Sequence, residues 1–133
     1  MDHPAVVRLL EAHAIRPSAQ RVAIAGYVLA TAEHPSADQV WRRVKLEFPM
    51  VSRATAYNTL KLFVEKGLLR ELVLAPGYAV YDPNTAPHHH FLDEDRGSIH
   101  DVPWSALTVD LVGDLPDLEV RNVSVVLRGR RRS

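Results

Sequence analysis

The chain of 133 residues predicts an α+β fold in two parts, a helical half closed by a β-hairpin and then a smaller mixed half. Apolar residues recur at helical spacing as far as Val64, with helix-start and helix-stop chemistry between the runs. Short apolar stretches around Pro76-Gly77, and again around Asp93 to Gly97, then replace that pattern. Charge divides with it: residues 1–80 hold 10 Lys/Arg against 7 Asp/Glu, and residues 81–133 hold 6 against 9. A mildly basic half suits an anionic partner, and an acidic half suits cations.

Val6, Val7, Leu9, Leu10 and Ala14 give a short amphipathic helix over residues 3–14. Arg16-Pro17-Ser18 breaks the chain and restarts it. Val22, Ile24, Tyr27, Val28 and Leu29 then make a mostly buried second helix from Ser18 to about Ala30, which His34-Pro35 ends. Ser36-Ala37-Asp38-Gln39 has the spacing of a capping box, in which hydroxyl and amide side chains each bond the other residue's backbone N–H. The third helix turns Val40, Trp41, Val44 and Phe48 inward and stops at Pro49. Ser52 is a natural N-cap for the fourth. Ala56, Leu60, Phe63 and Val64 are its buried stripe, and Lys66-Gly67 is its end. Leu68 to Val73 and Tyr78 to Tyr81 flank the Ala75-Pro76-Gly77 turn as a hairpin.

Four helices and a hairpin over residues 1–81 spell an N-terminal winged-helix DNA-binding domain, with the fourth helix for the major groove and the hairpin as the wing. On that helix Ala54, Thr55 and Asn58 allow close approach to double-stranded DNA. Arg53, Tyr57 and Lys61 reach phosphates or bases. A plain helical bundle with a polar solvent face competes with this reading, and the hairpin tips the balance against it.

Residues 82–133 form the second part, a small α/β dimerisation and metal-binding domain. Phe91-Leu92 and Ile99 to Val102 flank a polar loop as a second hairpin; a short helix is expected over 105–114 and a strand from about Leu118 to Arg128. So few elements bury little core alone, so a homodimer is expected, and two winged helices then match a palindromic operator. The basic end, Arg128 to Arg132, reads as solvated.

Asp82-Pro83-Asn84-Thr85-Ala86-Pro87-His88-His89-His90, with Asp101 eleven residues further on, holds the clearest chemistry in the chain. In an extended strand His88 and His90 share one face and His89 looks the other way. Imidazoles with carboxylates before and after are good ligands for a divalent first-row metal. There is no cysteine, which excludes disulfides, thiolate zinc sites and thiol nucleophiles, so nitrogen and oxygen must hold any metal. No apolar run has membrane-spanning length and no signal-peptide layout opens the chain, so a cytoplasmic protein without a membrane partner is expected.

Taken together, Arg16-Pro17-Ser18-Ala19-Gln20-Arg21, Ser52-Arg53-Ala54-Thr55-Ala56-Tyr57-Asn58-Thr59-Leu60 and His88-His89-His90 with its flanks resemble the ferric uptake regulator (Fur) family of metal-dependent repressors. The resemblance implies a regulatory site on His34, Asp82, His88, His90 and Asp101. Aspartate at 101, together with the absence of cysteine, is similar to the peroxide-stress (PerR-type) branch. That implies a dimeric repressor whose Fe(II) or Mn(II) site gates operator binding; Zn(II) would also bind by raw affinity. The first of the family's cysteine pairs would fall on Asp93 and Arg96, so the structural zinc held by four cysteines is expected to be absent. A further family metal site looks incomplete, with Pro87, Thr108 and Val125 near its ligand positions. His89 and His100 are then left as surface or supporting groups. The competing readings are an iron- or haem-responsive regulator of the same family, a metal-dependent hydrolase, and a DNA-binding module that needs no metal.

Overall fold

The computed structural model describes residues 2–110, 113, 115–120 and 123–132. The chain divides into two compact units, Met1–Thr85 and Ala86–Ser133.

The first unit holds α1 (His3–Ala12), α2 (Ala19–Ala30), α3 (Ala37–Lys45), α4 (Arg53–Glu65), β1 (Arg70–Ala75) and β2 (Tyr78–Asp82). Local chemistry starts each helix. The Asp2, Ser18 and Ser52 side chains accept from backbone N–H groups three residues on, which satisfies donors the helix itself leaves orphaned. Ser36 and Gln39 form both bonds of the expected capping box, at 3.3 and 2.8 Å. At the end of α4 the Leu68 N–H reaches the Phe63 carbonyl (2.9 Å) and the Gly67 N–H reaches that of Val64 (3.1 Å). This double bond pattern needs the left-handed backbone of Gly67, whose φ is 80°. The chain thereby turns directly from α4 into the wing.

Val6, Leu10, Ile24, Val28, Val40, Leu60 and Phe63 form the core of this unit, and each is almost wholly buried. Burial of side chains of this size stabilises by roughly 1.5–3 kcal/mol apiece. β1 and β2 pair antiparallel, with Arg70 opposite Asp82 and Glu71 opposite Tyr81. No helix of the described residues is long and apolar enough to cross a membrane.

The second unit is a three-stranded sheet in the order β4-β3-β5, built from β3 (His88–Asp93), β4 (Ser98–Pro103) and β5 (Val126–Gly129). β3 and β4 form the expected hairpin, with His88 opposite Pro103, His90 opposite Asp101 and Asp93 opposite Ser98. The expected helix over 105–114 is not seen among the described residues, where a single 3-10 turn, Trp104–Ala106, is followed by irregular chain; Leu111, Val112 and Asp114 lie outside them. Thr108, Val109, Val112 and Gly113 in that window are weak helix formers, and the turn's N-cap Pro103 offers no side-chain bond. Among the described residues the expected long strand from Leu118 to Arg128 shrinks to β5, where Val126 to Gly129 find a ladder partner; Arg121 and Asn122 lie outside them. That partner is β3, and the pairing is parallel, as a long connection allows.

The β3–β4 loop is organised by Asp93, whose side chain is buried and whose Oδ1 accepts from the Asp95 and Arg96 N–H groups at 3.0 and 3.2 Å. Its carbonyl accepts from Gly97 at 2.7 Å, and the next N–H, that of Glu94, donates to Gly129 on β5. At the position where the family resemblance leads one to look for the first cysteine of a zinc pair, a carboxylate closes the loop with backbone donors. Asp93→Ala leaves those donors without their acceptor, and urea denaturation is expected to register a loss of about 1–3 kcal/mol; an unchanged midpoint and slope would show that the loop closes without it.

Candidate metal centre and nucleic-acid interface

In the first unit the Tyr81 N–H donates to the Pro35 carbonyl at 2.9 Å, tying the loop after α2 to β2. Pro35 is fully buried there. The clamp sets His34, just before the proline, beside Asp82, the residue after Tyr81, and His34 Nε2 lies 3.2 Å from Asp82 Oδ2. Both side chains are buried, at 8% and 4% exposure. The other carboxylate oxygen of Asp82 accepts from the Asn84 N–H at 2.9 Å, which fixes its plane.

In the second unit, strand alternation and hairpin register do the corresponding work. His88 and His90 share a face, their ring centroids 4.5 Å apart. Asp101, opposite His90 on β4, has Oδ1 at 3.5 Å from His88 Nε2 and 3.9 Å from His90 Nε2. His88 Nδ1 lies 2.7 Å from the Ala86 carbonyl, which can only accept, so Nδ1 carries the proton. In the neutral ring Nε2 is then the lone-pair nitrogen, and it faces a carboxylate oxygen. A ring whose Nδ1 is bonded to the backbone, with Nε2 turned to a carboxylate, is the arrangement metal-ligating histidines require. The donors therefore fit a divalent cation.

Of the two places expected for His89, surface or supporting group, the structure excludes the surface. It is fully buried on the opposite face of β3, its ring stacked on Trp104 at 4.7 Å and 13°. The Val125 N–H donates to its Nδ1 at 3.0 Å, so the ring's proton sits on Nε2, which has no hydrogen-bond partner among the described residues. It is a packing plate that anchors the approach to β5. His100 is half-buried; Ser98 Oγ lies 3.1 Å from its Nε2 and Arg131 Nη2 3.2 Å from its Nδ1.

On α4, Tyr57, Asn58 and Lys61 are exposed, as expected of a surface for DNA. Thr55 is half-buried, and its hydroxyl lies 2.9 Å from the Ser52 cap. Arg53 is already engaged within the protein. Its guanidinium carbon sits 4.5 Å from the centre of the Trp41 ring, and Nη1 is 3.7 Å from Asp38 Oδ1. Beside α4 a polar cavity of about 250 Å³ is lined by Ser18, Gln20, Arg21, Thr55, Asn58 and Thr59. The start of α2 thus lies beside α4, a neighbourhood that the spacing of either helix alone does not reveal.

Residues 12–109 match the sequence profile of the Ferric uptake regulator family. The chain belongs to that family. Among curated proteins it is 36% identical over 93 residues to the peroxide-responsive repressor PerR of Staphylococcus aureus strain Mu50, a match covering 70% of this chain and 63% of the relative. It therefore spans less than two thirds of the length of that relative. Among solved structures, that of PerR from Streptococcus pyogenes, a protein of peroxide sensing and gene regulation, is 28% identical with a TM-score of 0.54, covering 98% of this chain and 92% of that one. The ferric uptake regulator of Vibrio cholerae shares the fold at 18% identity, with a TM-score of 0.67 over 94% of this chain and 98% of that one.

Behind Asp82, the Tyr81 side chain is buried and its hydroxyl lies 3.5 Å from Glu71 Oε2. Burial, reinforced by the Glu71 carboxylate, pushes its pKa from 10.0 up to about 12. A raised folded pKa means that the stability Tyr81 contributes is full below pH 10 and is lost as the pH rises through about 12. Urea melts across that window should show wild type losing stability relative to Tyr81→Phe; parallel curves would show that the hydroxyl titrates as it does in water.

Proposed function

We propose that this member of the ferric uptake regulator family is a homodimeric, metal-gated DNA-binding repressor of the PerR kind. The observation that carries the reading is the placing of His88 and His90 on one face of β3 beside Asp101, with His88 Nδ1 turned to a backbone carbonyl, and a second buried His–Asp pair on the first unit. His34, Asp82, His88, His90 and Asp101 together offer three imidazole nitrogens and two carboxylates, a set suited to Fe(II) or Mn(II) and able to take Zn(II). One cation bound by all five would fasten the winged unit to the other unit. A cation that binds one arrangement of the units more tightly shifts the population towards it, by no more than that difference in affinity. In the dimer this arrangement would set the distance between the two α4 helices and so the fit to a palindromic operator.

Exposed apolar side chains on the second unit, Trp104, Leu118, Val120, Val123 and Leu127, supply a surface for the second copy. For the DNA contact, the proposal rests on Arg53, Thr55, Tyr57, Asn58 and Lys61 along α4. A bound Fe(II) would supply electrons to peroxide, and the candidate residues for oxidation are His34 and His88, the histidines of the two His–Asp pairs.

Replacing His34 or His90 with alanine is expected to weaken Mn(II) binding at least about ten-fold. It should also bring operator affinity measured with Mn(II) and with EDTA to the same value. Operator binding that still follows the metal in both variants would defeat the gating. Mass spectrometry after peroxide treatment of the Fe(II) form should find added oxygen on His34 or His88, with the Mn(II) form unmodified. Unmodified histidines in both forms would leave a metal-gated regulator that does not sense peroxide.

A further inference from the structure

The start of α4 is clamped to α3 through one tryptophan. Trp41 is half-buried, and its indole N–H donates to the carbonyl of Val51 at 3.0 Å, one residue before the Ser52 cap. Its ring carries two cations, Lys45 Nζ at 4.5 Å and the guanidinium of Arg53 at 4.5 Å. Arg53 is the first residue of α4, and Asp38, in the first turn of α3, completes its surroundings. Asp38 is the only acidic residue in the first turn of any of the four helices, and its own helix ends in Arg42, Arg43 and Lys45.

A carboxylate beside the helix proposed to read DNA repels phosphates, so its place next to Arg53 calls for a reason. We propose that Asp38 is an internal competitor for Arg53, occupying in free protein the guanidinium edge that a DNA phosphate takes in the complex. The proposal rests on the DNA-binding reading above. Trp41 is the positioning residue. The ring face attracts the cation and holds the guanidinium flat, leaving its N–H edge to bond an anion. Carboxylate and phosphate oxygens both match that edge. The Arg53 and Asp38 side chains are 58% and 37% exposed, so water and salt screen the pair and exchange is easy. Asp38 thus holds operator affinity below its ceiling. A regulator whose metal must make a difference benefits from such a limit, because a metal-free form already saturated with DNA cannot be gated.

The test is a cycle of Asp38→Asn and Arg53→Ala, read by fluorescence anisotropy on a duplex that wild type selects from a random-sequence pool. Asp38→Asn should tighten binding about two- to five-fold, the range open to an exposed ion pair. The gain should be equal with Mn(II) and with EDTA, since Asp38 is no metal ligand. Arg53→Ala should weaken binding and lower the slope of log affinity against log salt by about one. In the Arg53→Ala background, Asp38→Asn should give no gain. Asp38→Glu, which keeps the carboxylate, should restore the wild-type value. A gain that persists without Arg53 would mean general repulsion and would overturn the proposal, as would no gain when Arg53 is present. Should circular dichroism show that Asp38→Asn disturbs α3, Asp38→Ser takes its place in the same cycle. Selection of no duplex by wild type would sink the DNA-binding reading itself, whereas a selected duplex indifferent to Asp38 sinks this inference alone.

Discussion

The pairing register of β3 on β4 is the constraint on which the second unit's chemistry depends. Side chains alternate along a strand, so a slip of one residue would carry His88 and His90 to the face now held by His89 and take Asp101 from opposite His90. Register is held at both ends. At the turn, Asp93 gathers the Asp95, Arg96 and Gly97 N–H groups. At the other, the His88 side chain bonds the Ala86 carbonyl. His89 pins the reverse face between Trp104 and the Val125 N–H. The two faces of one histidine run thus differ: one carries the pair proposed to hold a cation, and the other is buried as packing that stops the strand from slipping.

The first unit reaches a similar result by other means. There a loop residue and a strand residue are joined through one backbone bond, from Tyr81 to Pro35, which brings His34 to Asp82. Their neighbours are rigid: Pro35 is fully buried, and Tyr81 packs its ring into the core that α4 shares. Because Phe63 and Leu60 of α4 and Tyr81 of β2 lie in one apolar cluster, the helix proposed to meet DNA and the strand that bears Asp82 form one packed body. A cation held at Asp82 would therefore act on the whole winged unit rather than on a single side chain.

Electrostatic design differs between the two surfaces. The histidine and aspartate groups proposed as ligands are mostly buried, where charged groups are held in close pairs rather than left to water. Arg53, Asp38 and Lys45 around Trp41 lie nearer to water, where pairs are weak and exchangeable. Strong buried donors suit a cation that is to be held. Weak exposed pairs suit a polyanion that is to be bound and released.

The local parts of this architecture were legible in the residues. Ser18, Ser36 and Ser52 mark helix starts because a hydroxyl bonds a backbone N–H three residues away, and Gly67 marks a helix end by its left-handed backbone; neither needs distant chain. The same holds for the alternation that puts His88 and His90 on one face. Contacts between residues far apart in sequence were decided only by the tertiary structure. These include the parallel pairing of β5 with β3, the burial of His89 under Trp104, the irregular chain of residues 107–110 after the 3-10 turn, and the seat of Arg53 on Trp41 with Asp38. Short-range periodicity and capping depend on bonds within one turn or one strand, so the chain alone determines them. Partner choice between distant segments depends on which surfaces meet in the folded unit, and a linear pattern carries no record of that.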